Sequence, residues 1–154
     1  PDPLLDEVVD AFAAGDGAAV FGGVDKVIET GQDPRRFTED LLRRLRDLVI
    51  VAAVPDAPAT GLIDVSEDAG ERLVAQAARF GAADLTRAAD LVAAGLTEMR
   101  GATAPRLLLE LICARVLLPA ADHGTDGGAD QGRLVGSLGQ FLFLFASGFL
   151  GVSQ

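Results

Sequence analysis

Residues 33–54 read DPRRFTEDLLRRLRDLVIVAAV. Phe37, Leu41, Leu45, Leu48 and Ala52 return every three or four positions, the spacing of one stripe on an α-helix, and Leu42 and Val49 widen that stripe. A half-buried strand would instead alternate apolar and polar residues. On the other face, Glu39 is expected to pair with Arg43 and Asp40 with Arg44, one turn apart, each exposed pair contributing ~0.2–0.5 kcal/mol. Burial of the leucine stripe outweighs both pairs. Asp33 is placed to cap the helix, and Pro34 sits at the first helical position, where its missing N–H costs little.

The same periodicity extends in both directions. Upstream, Leu5, Val8, Val9 and Phe12 form one stripe, the Gly15-Asp16-Gly17 corner ends it, and Asp16 can cap a second helix carrying Val20, Phe21, Val24, Val27 and Ile28. Those two helices are expected to form a hairpin closed by Gly31. Downstream, residues 55–63 break the pattern and read as a linker. A helix from about Ser66 to Phe80 turns Leu73, Val74 and Ala77 inward, and Gly81 resets the chain. The next, about Asp84 to Met99, places Leu85, Ala88, Val92, Leu96 and Met99 on or near one stripe. Gly101 is expected to follow as a C-cap and Thr103 to cap a final helix, Pro105 to Leu118. That helix has leucine or another apolar residue around much of its circumference, which predicts a central core position with Leu111 as deeply buried as Leu45. The fold class is therefore all-α: a helical, bundle-like domain of about five or six helices over residues 1–121. A Gly-rich linker and Phe-rich tail, expected to be separable, occupies residues 122–154.

Composition narrows the function. The formal charge is −10, unevenly spread: residues 1–33 hold eight acids and one Lys, whereas residues 34–47 hold five Arg and three acids. Such a molecule repels a phosphate backbone at long range, so direct DNA binding is not expected. Cys113, the one cysteine, cannot form an internal disulfide and reads as a small core residue. No secretory signal is evident at the start of the sequence, and a cytoplasmic setting is expected. GxxxxGK[ST] is absent and Lys26 is the one lysine, so no ATP hydrolysis is expected from these residues. Asp122, His123, Asp126 and Asp130 form a local cluster, but their glycine-rich spacing does not match a calcium loop, and no metal or cofactor is assigned. His123 has no positioned nucleophile, so no catalytic residue is assigned either.

Three stretches, DPRRFTEDLLRRLRDL (33–48), FGAADLTRAADLV (80–92) and EMRGATAPRLLLELICARVLLP (98–119), resemble the third domain of the bacterial DNA polymerase III gamma/tau subunit in its actinobacterial form. The resemblance covers roughly Leu4 to Ala121, and the C-terminal tail does not share it. It implies an all-helical collar module of the clamp loader, an oligomerisation and scaffolding element supporting DNA replication, with gamma/tau, delta and delta-prime subunits as partners. It places ATP and magnesium in domains this sequence does not contain. Arg35, Arg36, Arg43, Arg44, Arg106 and Arg115 are the candidate interface residues. The alternative is a non-catalytic adaptor that binds an acidic protein partner through the same arginine-lined surface.

The run QFLFLF at 140–145 resembles short peptides that bind the sliding clamp, with Gln140 at a polar edge and Leu144 and Phe145 as anchors. The same run could instead associate with itself or pack on the helical domain. It is too short for an ordinary membrane-spanning helix.

Overall fold

Acceptor side chains stand where the sequence calls for helix starts. Asp16 Oδ1 accepts from the Ala19 amide at 3.1 Å, Asp33 Oδ1 from Arg35 at 3.1 Å, and Ser66 Oγ from Ala69 at 3.2 Å. Gly31 and Gly81 take the positive φ values, 77° and 88°, that end one helix and redirect the chain toward the next. The computed structural model describes residues 2–118, with side chains from residue 3. Among the described residues there are seven α-helices and no strand: α1 (Asp2–Ala14), α2 (Gly17–Glu29), α3 (Pro34–Ala53), α4 (Ala57–Thr60), α5 (Glu67–Phe80), α6 (Ala82–Glu98) and α7 (Pro105–Leu117).

Helix α3 is the axis of the bundle and touches each of the other six helices, most extensively α6 and then α5. Its buried stripe is Phe37, Thr38, Leu41, Leu42, Leu45, Leu48 and Val51. Ala52, expected on that stripe, is exposed and Val51 is buried in its place. Thr38 is fully buried without cost because its hydroxyl donates to the Pro34 carbonyl at 2.7 Å. Helices α1 and α2 form the expected hairpin around Val8, Val9, Val20, Val24 and Val27, while Phe21 lies at its surface. Lys26 Nζ ties the hairpin's exposed side to Glu7 at 2.8 Å.

Four details of the sequence reading change. The 55–63 linker contains α4, a single turn anchored by the fully buried Ala57 and too short to show a period. In α5, Val74 faces outward and Gln76 is buried instead, because Gln76 closes a polar network described below. Thr103 does not cap α7. The first backbone bond of that helix runs from the Leu108 amide to the Ala104 carbonyl, which leaves Thr103 one residue outside. Finally, α7 is not a central helix. It packs on α6, α2 and α3 and buries only Leu109, Ile112 and Cys113.

Gly95 sets the α6–α7 approach. A β-carbon there would overlap Cδ1 and Cγ1 of Ile112, so absence of a side chain lets the two helices close on each other.

Candidate protein interface

The arginines divide into those engaged within the domain and those left at its surface. Arg44, 16% exposed, reaches from α3 to form an ion pair with Asp6 of α1 and donates to Gln76 Oε1 of α5 at 3.1 Å. Gln76 Nε2 in turn donates to Asp10 Oδ1 at 3.0 Å, and Arg79 pairs with the same oxygen at 3.0 Å. This network joins α1, α3 and α5, and satisfies a buried amide that would otherwise be costly. The expected Asp40–Arg44 pair is therefore replaced by a contact between helices. Asp40 lies 3.8 Å from Arg43, and the expected Glu39–Arg43 pair is absent among the described residues.

Arg35 is also engaged. Its guanidinium donates to the Met99 carbonyl at the end of α6, where backbone acceptors lack helical partners and the helix dipole favours a cation. Arg87, which the sequence reading did not single out, does the same for α7: Nη2 donates to the Arg115 carbonyl at 2.7 Å and Nη1 to the Val116 carbonyl at 2.9 Å. No local spacing reveals this role, because donor and acceptors lie on different helices. Arg46 turns to its neighbour Asp47 at 3.0 Å. Of the α3 arginines proposed as interface residues, Arg36 and Arg43 remain exposed; Arg36 makes no ion pair among the described residues.

Arg106 and Arg115 flank a different feature. Leu107 and Leu111 are 56 and 43% exposed, and at the α-helical turn they stand about 40° of arc apart. They lie opposite the buried Leu109–Ile112–Cys113 face. On one border Arg106 pairs with Glu110 at 3.0 Å and with Asp25 of α2 at 3.5 Å; on the other Arg115 pairs with Glu98 of α6 at 3.6 Å. The two arginines thus pin the edges of α7 to both neighbouring helices and leave a strip of leucine facing outward. An apolar centre with a charged rim is the composition of a protein-binding surface. The sequence places leucines on every side of this helix, so no periodicity could say which would be left out.

The opposite, buried face of α7 carries the one cysteine. Cys113 is fully buried, and burial, with the Glu110 carboxylate adding to it, pushes its thiol up from 9.0 to about 12. A buried thiol held neutral in that way is a poor nucleophile at physiological pH. Among the described residues no group of three His, Cys, Asp or Glu side chains is arranged to hold a metal, and no helix is long and apolar enough to cross a membrane. The Asp122–His123–Asp126–Asp130 cluster and the Gln140, Leu144 and Phe145 positions lie outside the described residues.

The sequence is similar to those of known proteins. The family model for DNA polymerase III subunits gamma and tau domain III matches residues 4–131, continuing past Ala121 and ending before the Phe-rich run. Proteins named DNA polymerase III subunit gamma/tau from Mycobacterium bovis and from two strains of Mycobacterium tuberculosis are each 60% identical to this chain over 118 residues, covering 77% of it. The chain spans 20% of the length of those curated relatives. No solved structure matches it.

Proposed function

This chain belongs to the family of domain III of DNA polymerase III subunits gamma and tau, and from that membership we propose that it is an oligomerisation and scaffolding module of the bacterial clamp loader. It joins gamma/tau subunits to one another and to delta and delta-prime through helix faces, in the cytoplasm. The ATP- and magnesium-dependent steps belong to other domains of the subunit. The observation that carries this reading is the outward leucine pair of α7, Leu107 and Leu111, bordered by Arg106 and Arg115. Leaving two neighbouring leucines in water is unfavourable unless a partner covers them, and the charged borders then supply orientation. The net charge of −10 argues against the DNA backbone as that partner.

Co-purification with delta, delta-prime and gamma/tau subunits that carry their ATPase domains tests the reading. The full chain is expected to enter the assembly, and Leu107→Asp combined with Leu111→Asp to abolish entry while helical circular dichroism and cooperative melting persist. A folded wild-type chain that contacts none of these subunits overturns it. An adaptor for an acidic partner would act through Arg36 and Arg43, the α3 arginines left exposed. The tail, residues 122–154, is a separable segment in this reading: its removal leaves cooperative unfolding and collar contacts intact. Loss of saturable binding to the sliding clamp on that deletion would assign Gln140, Leu144 and Phe145 to clamp binding.

A further inference from the structure

On a part of the surface formed by α4, the turn after it and α5, the domain holds a cleft of about 590 Å³. Pro55, Pro58, Ala59, Val65 and Val74 supply apolar walls. Two are proline rings, which hold their shape without side-chain ordering. Gly70 lies in the lining, and a β-carbon there would stand 2.7 Å from Pro58 Cβ and 3.6 Å from Val65 Cγ2, so α4 sits directly against the α5 backbone. Val74, 38% exposed, opens onto the cleft instead of joining the core.

The rim is anionic. Glu67 and Glu71 line the cleft one helical turn apart on α5. Between Val54 and Val74 the chain has five acids, Asp56, Asp64, Glu67, Asp68 and Glu71, against the single cation Arg72, and all six are exposed. None of the five carboxylates has an ion-pair partner among the described residues. That contrasts with the carboxylates of α1, where Asp6, Glu7 and Asp10 are each paired with a cation. Like charges at this spacing repel, and the helix N-terminus offsets this only within the first turn.

From this combination we infer that the cleft is a docking site for a basic segment of another protein, in which an aliphatic or aromatic side chain is flanked by Lys or Arg. The apolar residue fills the space between Pro58 and Val74, and the flanking cations meet Glu67 and Glu71. Charge complementarity selects this occupant over a second copy of the chain, because a second copy brings the same net charge of −10 to an anionic rim. The site is separate from the leucine strip of α7 and does not depend on it.

The test is a titration of the isotopically labelled full chain, followed by amide chemical shifts, with an octapeptide of lysine, arginine and two central leucines. Saturable shifts centred on Val65, Gly70, Glu71 and Val74 are expected. Replacing the peptide's leucines by serine, or combining Glu67→Gln with Glu71→Gln in the protein, is expected to weaken binding roughly tenfold, the order reached when two exposed ion pairs are lost. The Asp84→Asn control on α6, and Leu107→Asp on α7, leave binding unchanged. Shifts spread over every acidic surface, or binding indifferent to both glutamine substitutions, overturn the inference. Concentration-dependent self-association that consumes the same amides would instead make a second copy the occupant and overturn it too.

Discussion

Helices α3 and α7 are both rich in leucine and arginine, yet they use them in opposite ways. In α3 the leucines vanish into the bundle and Arg35, Arg44 and Arg46 bond within the chain, so little of its chemistry is free for a partner. In α7 the buried face is a narrow Leu109–Ile112–Cys113 strip, and leucines of the same kind stand in solvent between ion-paired arginines. Position in the bundle decides the difference. A helix that touches six others buries all four of its leucines, and a helix supported on one side buries one strip however apolar the rest is.

The sharpest way to break that contrast is to remove the same side chain from each helix. Leu45→Ala, at a site 1% exposed, is expected to cost ~2–5 kcal/mol, whereas Leu111→Ala stays within ~0.5 kcal/mol of wild type. Urea unfolding curves read both, and equal losses would mean that α7 is as enclosed as α3. Gly95→Ala probes the face α7 does bury. Alanine is the better helix former, but its methyl group must displace Ile112, and a net loss of ~1–3 kcal/mol is expected from the same measurement.

Cys113 supplies a pH test of that buried strip. The unfolded thiol ionises above about 9, while the folded one stays neutral to about 12. The unfolded state therefore loses its proton first, and stability falls as pH rises through this window, on the order of 1 kcal/mol per pH unit. Cys113→Ala should lack that component, and parallel pH profiles for the two proteins would place the thiol in water. The smallest effect is expected from Arg87→Met, which keeps the stem but removes both donors to the end of α7. A loss of ~0.3–1 kcal/mol, seen in thermal melts, would fit a cation at a helix C-terminus.

These two helices also mark how far the amino-acid order could be read. Where polar and apolar residues segregate, as over residues 33–51, the period names the buried face, and Asp16 and Asp33 cap the helices their positions suggest. Where they do not, as over residues 105–118, every rotation of the helix is equally plausible and Leu111 falls on the wrong side. Candidate interface residues were less legible than the helices. Arg35 and Arg44 differ from Arg36 and Arg43 only in what lies across from them, and sequence spacing within one helix carries no trace of Met99, Asp6 or Gln76. Val74 shows the same limit, because the partners that draw Gln76 inward in its place, Arg44 and Asp10, lie on other helices.

Arg35 and Met99 are 64 positions apart, and Arg87 closes α7 from 28 and 29 positions upstream. The carbonyl ends of α6 and α7 are thus completed by residues that arrive only when the bundle assembles. At the end of α6 the Ala102 amide also donates to the Met99 carbonyl, at 3.1 Å, so the bundle adds a long-range donor to a local turn and the turn's protection rises with the tertiary structure. In amide hydrogen exchange, the amides whose acceptors lie in the last turn of α6 should open with the whole domain instead of fraying locally, and Arg35→Met should release them to exchange early while the middle of α6 stays slow.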